Sequence, residues 1–162
     1  MIVGFGLLKV GSVHASADTR VYRTDDAIYL KVITGLDADD FSGLEGTGGT
    51  RVGKNVACDS SSCTVVIQKK TGACRSVTRA VRLPEVDDMP ADARISKGNG
   101  SITLELIAHP NCADLKVKET KIAAGRHKGE DEKVGEHLKC DCSPSGASCT
   151  LKINAESGAC ED

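Results

Sequence analysis

The segment CTVVIQKKTGAC, residues 63–74, returns as CTLKINAESGAC at 149–160, with Cys, Thr, Ile, Gly, Ala and Cys identical. Two earlier matches keep the same order. RVYRTDDAIYLKVI (20–33) aligns with RISKGNGSITLELI (94–107) at an offset of 74, and VGKNVACD (52–59) with VGEHLKCD (134–141) at 82. The last pair is offset by 86, so the drift implies two loop insertions. Ordered self-similarity of this kind signals a repeated structural unit. We read 1–17 as a flexible arm or the remnant of a signal peptide. Residues 18–92 then form a first β repeat and 93–162 a second.

The repeated units have strand character. AIYLKVI and SITLELI alternate β-branched and Leu residues with polar ones, and CTVVIQ and CTLKIN continue the habit. The clusters GLDADDFSGLEGTGG, KGNG and CSPSGAS punctuate them as turns. A helical stripe is absent almost everywhere. The charged stretch 118–137 contains Gly125, Gly129 and Gly135, which favour a loop over a helix. The expected class is all-β, an immunoglobulin-like β-sandwich of two related halves. Strands are expected at 27–34, 63–68, 77–83 and 101–107.

Such a sandwich must be built almost without rings. The 162 residues include two Phe, two Tyr and no Trp. Val, Ile, Leu and Ala bury less area per residue than aromatics, which raises the value of covalent cross-links. The chain has eight cysteines to supply them: Cys58, Cys63, Cys74, Cys112, Cys140, Cys142, Cys149 and Cys160. An even count fits disulfides, and these favour an extracellular or secreted location; free thiols would indicate the cytoplasm. CDSSSC and CDC lack the usual two-residue zinc spacing, so no metal is expected. No motif calls for a cofactor. Of the four histidines, His14, His109, His127 and His137, the last two sit among charges and read as solvated surface.

A direct bridge from Cys63 to Cys74 would require the segment to fold back, because a straight strand between them is far too long. Cys58–Cys63 closes a shorter loop. Its counterpart is Cys140 or Cys142 to Cys149, of which we favour Cys142–Cys149. On that scheme each half is stapled separately.

Several function classes lose ground. A net charge of -2 gives no electrostatic case for nucleic acid or an anionic membrane. The scarcity of rings argues against stacking platforms. No run approaches the roughly 20 apolar residues of a membrane span. The first residues, MIVGFGLLKVGSVHASADT, hold a short apolar run and the cleavable pattern Ala15-Ser16-Ala17, but Lys9 interrupts them and a basic n-region is missing. Ser60, Ser61 and Ser62 lie in a turn without a positioned histidine. GLEGTGGTRVGK (43–54) has the glycines of a phosphate loop, yet no Ser or Thr follows Lys54 and strands flank it. The pairs Asp39-Asp40 and Asp87-Asp88 point apart on an extended chain. We expect no enzyme.

One further pattern runs from about residue 20 to 110. YRTDDAIYLKVITGLDADDF (22–41) gives an extended stretch, an acidic turn and an apolar strand. RAVRLP (79–84) gives an Arg-x-x-Arg-apolar-Pro segment, followed by Val86-Asp87, Ala93, the Asn99-Gly100 turn and SITLELIAHP (101–110). This order resembles the α-crystallin domain of small heat-shock proteins, with Val81 where the family has a ring. ITLELIAHPNCADLKVKETKIAAGRHKGEDE (102–132) resembles the animal version of the same domain, a partial second copy reaching to about 140. The resemblance implies an ATP-independent chaperone that holds protein clients or self-associates as a homo-oligomer. It places a client groove at Phe41, Leu44 and Ile95, with Leu115 and Val117 in the second copy, and Arg79 at a dimer interface. The other reading is a secreted, disulfide-stapled surface, adhesive or structural module, favoured by the repeated CD…CTxxI…GAC pattern.

Overall fold

The structure, a computed structural model, describes residues 13–46, 49–107, 131–133, 136–141 and 148–161. The protein is all-β. The described residues form β1 (Val13–Arg23), β2 (Ala27–Val32), β3 (Arg51–Val52), β4 (Ala57–Cys58), β5 (Cys63–Gln68) and β6 (Asp88–Gly98). They continue with β7 (Ser101–Ile107), β8 (Asp131–Lys133), β9 (Leu138–Asp141), β10 (Ser148–Asn154) and β11 (Cys160–Glu161). A 3-10 turn at Ala38–Asp40 is capped by the Asp37 carboxylate.

All strands join one antiparallel sheet, in the order β3-β4-β5-β2-β1-β6-β7-β10-β9-β8, with β11 added beside β10. The expected sandwich has two separately ordered sheets; here hydrogen bonding is continuous and the sheet curls on itself. The order is palindromic when β1–β5 are exchanged for β6–β10. Matching rungs carry matching residues: Ile28 faces Ile67 as Ile102 faces Ile153, and Leu30 faces Val65 as Leu104 faces Leu151. At the centre Asp18 faces Asp92, 74 residues on, the offset that relates the segments at 20–33 and 94–107.

The concave face of the sheet carries a single apolar cluster. Both 18–92 and 93–162 feed it, through Val21, Ile28 and Ile67 from the first stretch and Ile95, Leu104 and Ile153 from the second. β7 and β10 alternate buried with less buried positions along their length, as a sheet with one face in the core must. β5 does not alternate: Cys63 through Ile67 are all buried.

The chain after β5 explains that exception and corrects one expectation. Residues 77–83, expected as a strand, make no ladder. The Arg75 N–H donates to the Val66 carbonyl at 2.7 Å and the Val77 N–H to the Lys54 carbonyl at 3.1 Å. RAVRLP then runs as an extended strap, with Val81 and Leu83 half-buried beside Lys31, Ala57 and Thr64 on the convex face. Its alternation is real, but it serves packing over β5 rather than pairing. Pro84, with no N–H to donate, lies at the end of the strap.

β1 was hidden at the other extreme. Val13–Ala17, read as part of an arm, continue the β1–β6 ladder from Val13↔Lys97 onward. VHASADTRVYR does alternate, with Val13, Ala15, Ala17, Thr19 and Val21 in one set of positions, but three of the five are Ala or Thr, so the stripe is too weakly apolar to announce a strand. β6 also carries Pro90, which pairs opposite Arg20. Among the described residues β7 pairs with β6 only from Asp92 on, so Pro90 has a described neighbour on one side alone. The Asn99-Gly100 reversal is as expected: φ is 53° and 77°, the left-handed pair that a two-residue hairpin demands.

Candidate functional site

The densest polar chemistry among the described residues lies on the seam where the curled sheet meets itself. It begins with the repeated GAC turns. Gly72 and Gly158 have φ of 68° and 71°, a left-handed conformation that glycine adopts without strain. Each donates its N–H back to the last residue of the preceding strand, Gly72 to Gln68 at 2.8 Å and Gly158 to Asn154 at 2.9 Å. The turns bring Cys74 beside Ile67 and Cys160 beside Ile153. So the chain does fold back, as a Cys63–Cys74 bridge would have required. The cysteine partner, however, lies elsewhere.

Each turn is held by the opposite stretch of chain. Lys54 and Asn55 donate backbone N–H groups to Ser157 and Gly158 at 2.9 and 3.0 Å. Glu136 and His137 donate to Thr71 and Gly72 at 2.8 and 3.0 Å. The backbones approach so closely that a Cβ on Gly53 would lie 2.5 Å from the Ser157 carbonyl oxygen. Two side chains complete the exchange. Asn55 Oδ1 accepts the Cys160 N–H at 2.8 Å, and His137 Nδ1 accepts the Cys74 N–H at 2.8 Å. Asn55, 5% exposed, also donates from Nδ2 to the Arg75 carbonyl at 3.2 Å. Accepting through Nδ1 requires a neutral imidazole with its proton on Nε2, which lies 3.8 Å from Glu136 Oε2.

Between these caps, Cys74 and Cys160 form a disulfide across 86 residues, with Cα atoms 6.3 Å apart. Cys58–Cys63 and Cys140–Cys149 each close a hairpin at directly opposed rungs, with Cα separations of 4.0 Å. Cys58–Cys63 is the expected local closure. The favoured Cys142–Cys149 is corrected to Cys140–Cys149, because Cys140 is the residue across the ladder from Cys149. Separate stapling is corrected too, since Cys74–Cys160 ties 18–92 to 93–162. Cys112 and Cys142 lie outside the described residues.

The other candidates are not assembled into a site. Phe41 and Ile95, proposed as groove residues, are 5% and 1% exposed and belong to the core. Leu44 is partly buried against that core. Leu115 and Val117 lie outside the described residues. Arg79 is exposed on the strap. In CDSSSC, the Asp59 carboxylate caps the hairpin by accepting from the Ser61 and Ser62 N–H groups at 2.9 and 2.7 Å. The Ser61 N–H is the main cause that holds this carboxyl below its usual range, against a smaller desolvation. A cleft of about 520 Å³ over the Asp18–Asp92 rung is lined by Arg20, Ile33, Pro90 and Ile107 and, among the described residues, by no aromatic residue.

Asn55 and His137 were not singled out from the sequence, and His137 was read as solvated surface. The charged neighbour Glu136 is indeed exposed at 62%, but the His137 side chain turns inward and retains 16%. One signal was present: the two residues share a column when VGKNVACD is set over VGEHLKCD. Comparison with protein-family models, with curated proteins and with solved structures yields no match.

Proposed function

We propose that this protein is a non-enzymatic, disulfide-clamped β module that serves as a surface, adhesive or structural unit outside reducing compartments. The observation that carries this reading is the Cys74–Cys160 bridge. It is buried, it joins residues 86 apart, and it lies where the curled sheet closes. Disulfides of this kind persist where thiols are not kept reduced. They suit a chain whose core has few rings to bury. The described edge strands are short, two residues in β3 and three in β8, which suits a module that must not polymerise through its edges.

The α-crystallin-like reading has less support. A client groove needs apolar side chains at the surface, whereas Phe41 and Ile95 are enclosed. Mass spectrometry of the protein from its natural source, with and without reduction, tests the proposal. The expected result is the Cys74–Cys160 cross-link in the native material; cysteines recovered as free thiols would overturn it. A light-scattering assay with a heat-aggregating client tests the other reading on the same oxidised sample. Suppression at stoichiometric amounts would favour client binding over a structural role.

A further inference from the structure

Cys74, Cys160 and His137 each offer a ligand atom within 4.8 Å of the other two, and no other such group of three occurs among the described residues. Both cysteines are buried, and the His137 side chain is mostly so. We propose that in the reduced chain these three residues bind a borderline-soft divalent cation such as Zn²⁺, so that the seam has two interchangeable clamps, a disulfide when oxidised and a metal–thiolate link when reduced.

The chemistry follows from what reduction leaves behind. A phosphine reductant cleaves the protein disulfide: with the oxygen of one water it becomes the phosphine oxide, and Cys74 and Cys160 each gain a proton and an electron. Two thiols then face each other in a sealed seam. A divalent cation displaces both protons and is held by two thiolates and an imidazole, a donor set suited to zinc, with water in the fourth position. Tetrahedral coordination with Zn–S bonds of about 2.3 Å needs the sulfurs only about 3.8 Å apart. The Cα separation of 6.3 Å leaves room for this with little movement of the backbone. His137 Nδ1 already lies at the Cys74 amide, 2.8 Å away, so it need only exchange that N–H for the cation. The released N–H can donate to a thiolate sulfur, the usual support of a bound thiolate. Among the described residues the hairpin pairs Cys58–Cys63 and Cys140–Cys149 belong to no such group.

The seam supplies its own control. Across it, Asn55 caps Cys160 as His137 caps Cys74. His137→Asn therefore keeps an acceptor for the Cys74 amide but removes the imidazole. Full-length protein is reduced with a phosphine and titrated with Co²⁺, reading thiolate-to-cobalt charge transfer and the intense visible bands of a tetrahedral site, with circular dichroism alongside. Wild type should bind one Co²⁺ per chain with retained or restored strand signal. Oxidised protein should show no thiolate band. His137→Asn should weaken binding by more than about 100-fold, since loss of an outer partner alone costs about 10–100-fold. A Cys74→Ala, Cys160→Ala double variant should lose the thiolate band. Absence of the band in reduced wild type, its persistence in the double variant, or equal affinity in His137→Asn would each overturn the proposal. So would a reduced chain that stays unfolded when Co²⁺ is added. These outcomes are independent of the thiol state in the natural source, which tests the proposed function.

Discussion

Replacing Cys74 and Cys160 together by Ala isolates the covalent contribution of the seam. A disulfide acts largely by restricting the unfolded chain, and its effect grows with the loop it closes. For the separation of 86 the loop-entropy relation gives about 4.6 kcal/mol. The same relation gives about 2.6 kcal/mol for Cys140–Cys149, separation 9, and about 2.1 kcal/mol for Cys58–Cys63, separation 5. The order is the sharper prediction, because errors of the relation are shared among the three. Urea titration of the three double-alanine variants measures it, with all other disulfides intact and no reductant present. In thermal melts, the seam variant should fall by about 9–18 °C, at roughly 2–4 °C per kcal/mol for a chain of this size. Alanine keeps the Asn55 and His137 caps, which bond to backbone N–H groups rather than to sulfur. A seam variant within about 1 kcal/mol of wild type would refute the reasoning. So would a hairpin variant that loses more than the seam variant does. Either result would mean that the unfolded chain is already restrained or that the bridge is strained in the fold.

Other substitutions probe the core, a buried hydroxyl and a charged turn. Ile67→Ala and Ile153→Ala, at residues fully buried in the fold, should each cost about 2–5 kcal/mol by chemical denaturation. A small loss at either would contradict the register. Thr19 is 1% exposed and its Oγ1 has no hydrogen-bond partner among the described residues, so Thr19→Val should be neutral or stabilising by about 1 kcal/mol. A clear loss would show that the hydroxyl is satisfied. The carboxyl of Asp59 is held below the ordinary value of 3.8, so its stabilising effect is full above that pH and is lost as pH falls through the lower folded value. Acid titrations of stability should show this component in wild type and not in Asp59→Asn.

The sequence alone determined the all-β class and most of the inner strands. Alternation in AIYLKV and SITLELI is a local property, set by the two-residue period of side chains on a strand, and the β-branched run in CTVVIQ is equally local. The Asn99-Gly100 hairpin and the Cys58–Cys63 closure are local as well, because few residues separate their ends. Tertiary structure decided what depends on distant partners. RAVRLP alternates like a strand, yet the chain lays it over β5, so periodicity reported burial on one side and not hydrogen bonding. VHASADTRVYR carries the same period only in small residues, Ala15, Ala17 and Thr19 between Val13 and Val21, and it pairs because β6 supplies a long ladder to meet it. His137 looked solvated beside charged neighbours until the curl of the sheet carried it to a backbone amide 63 residues away in sequence. Cys140 and Cys142 are equally plausible partners of Cys149 in a linear chain. Only the rung of the β9–β10 ladder chooses between them. The Cys74–Cys160 link was beyond linear reading for the same reason: proximity across 86 residues is created by sheet curvature, which no local pattern encodes.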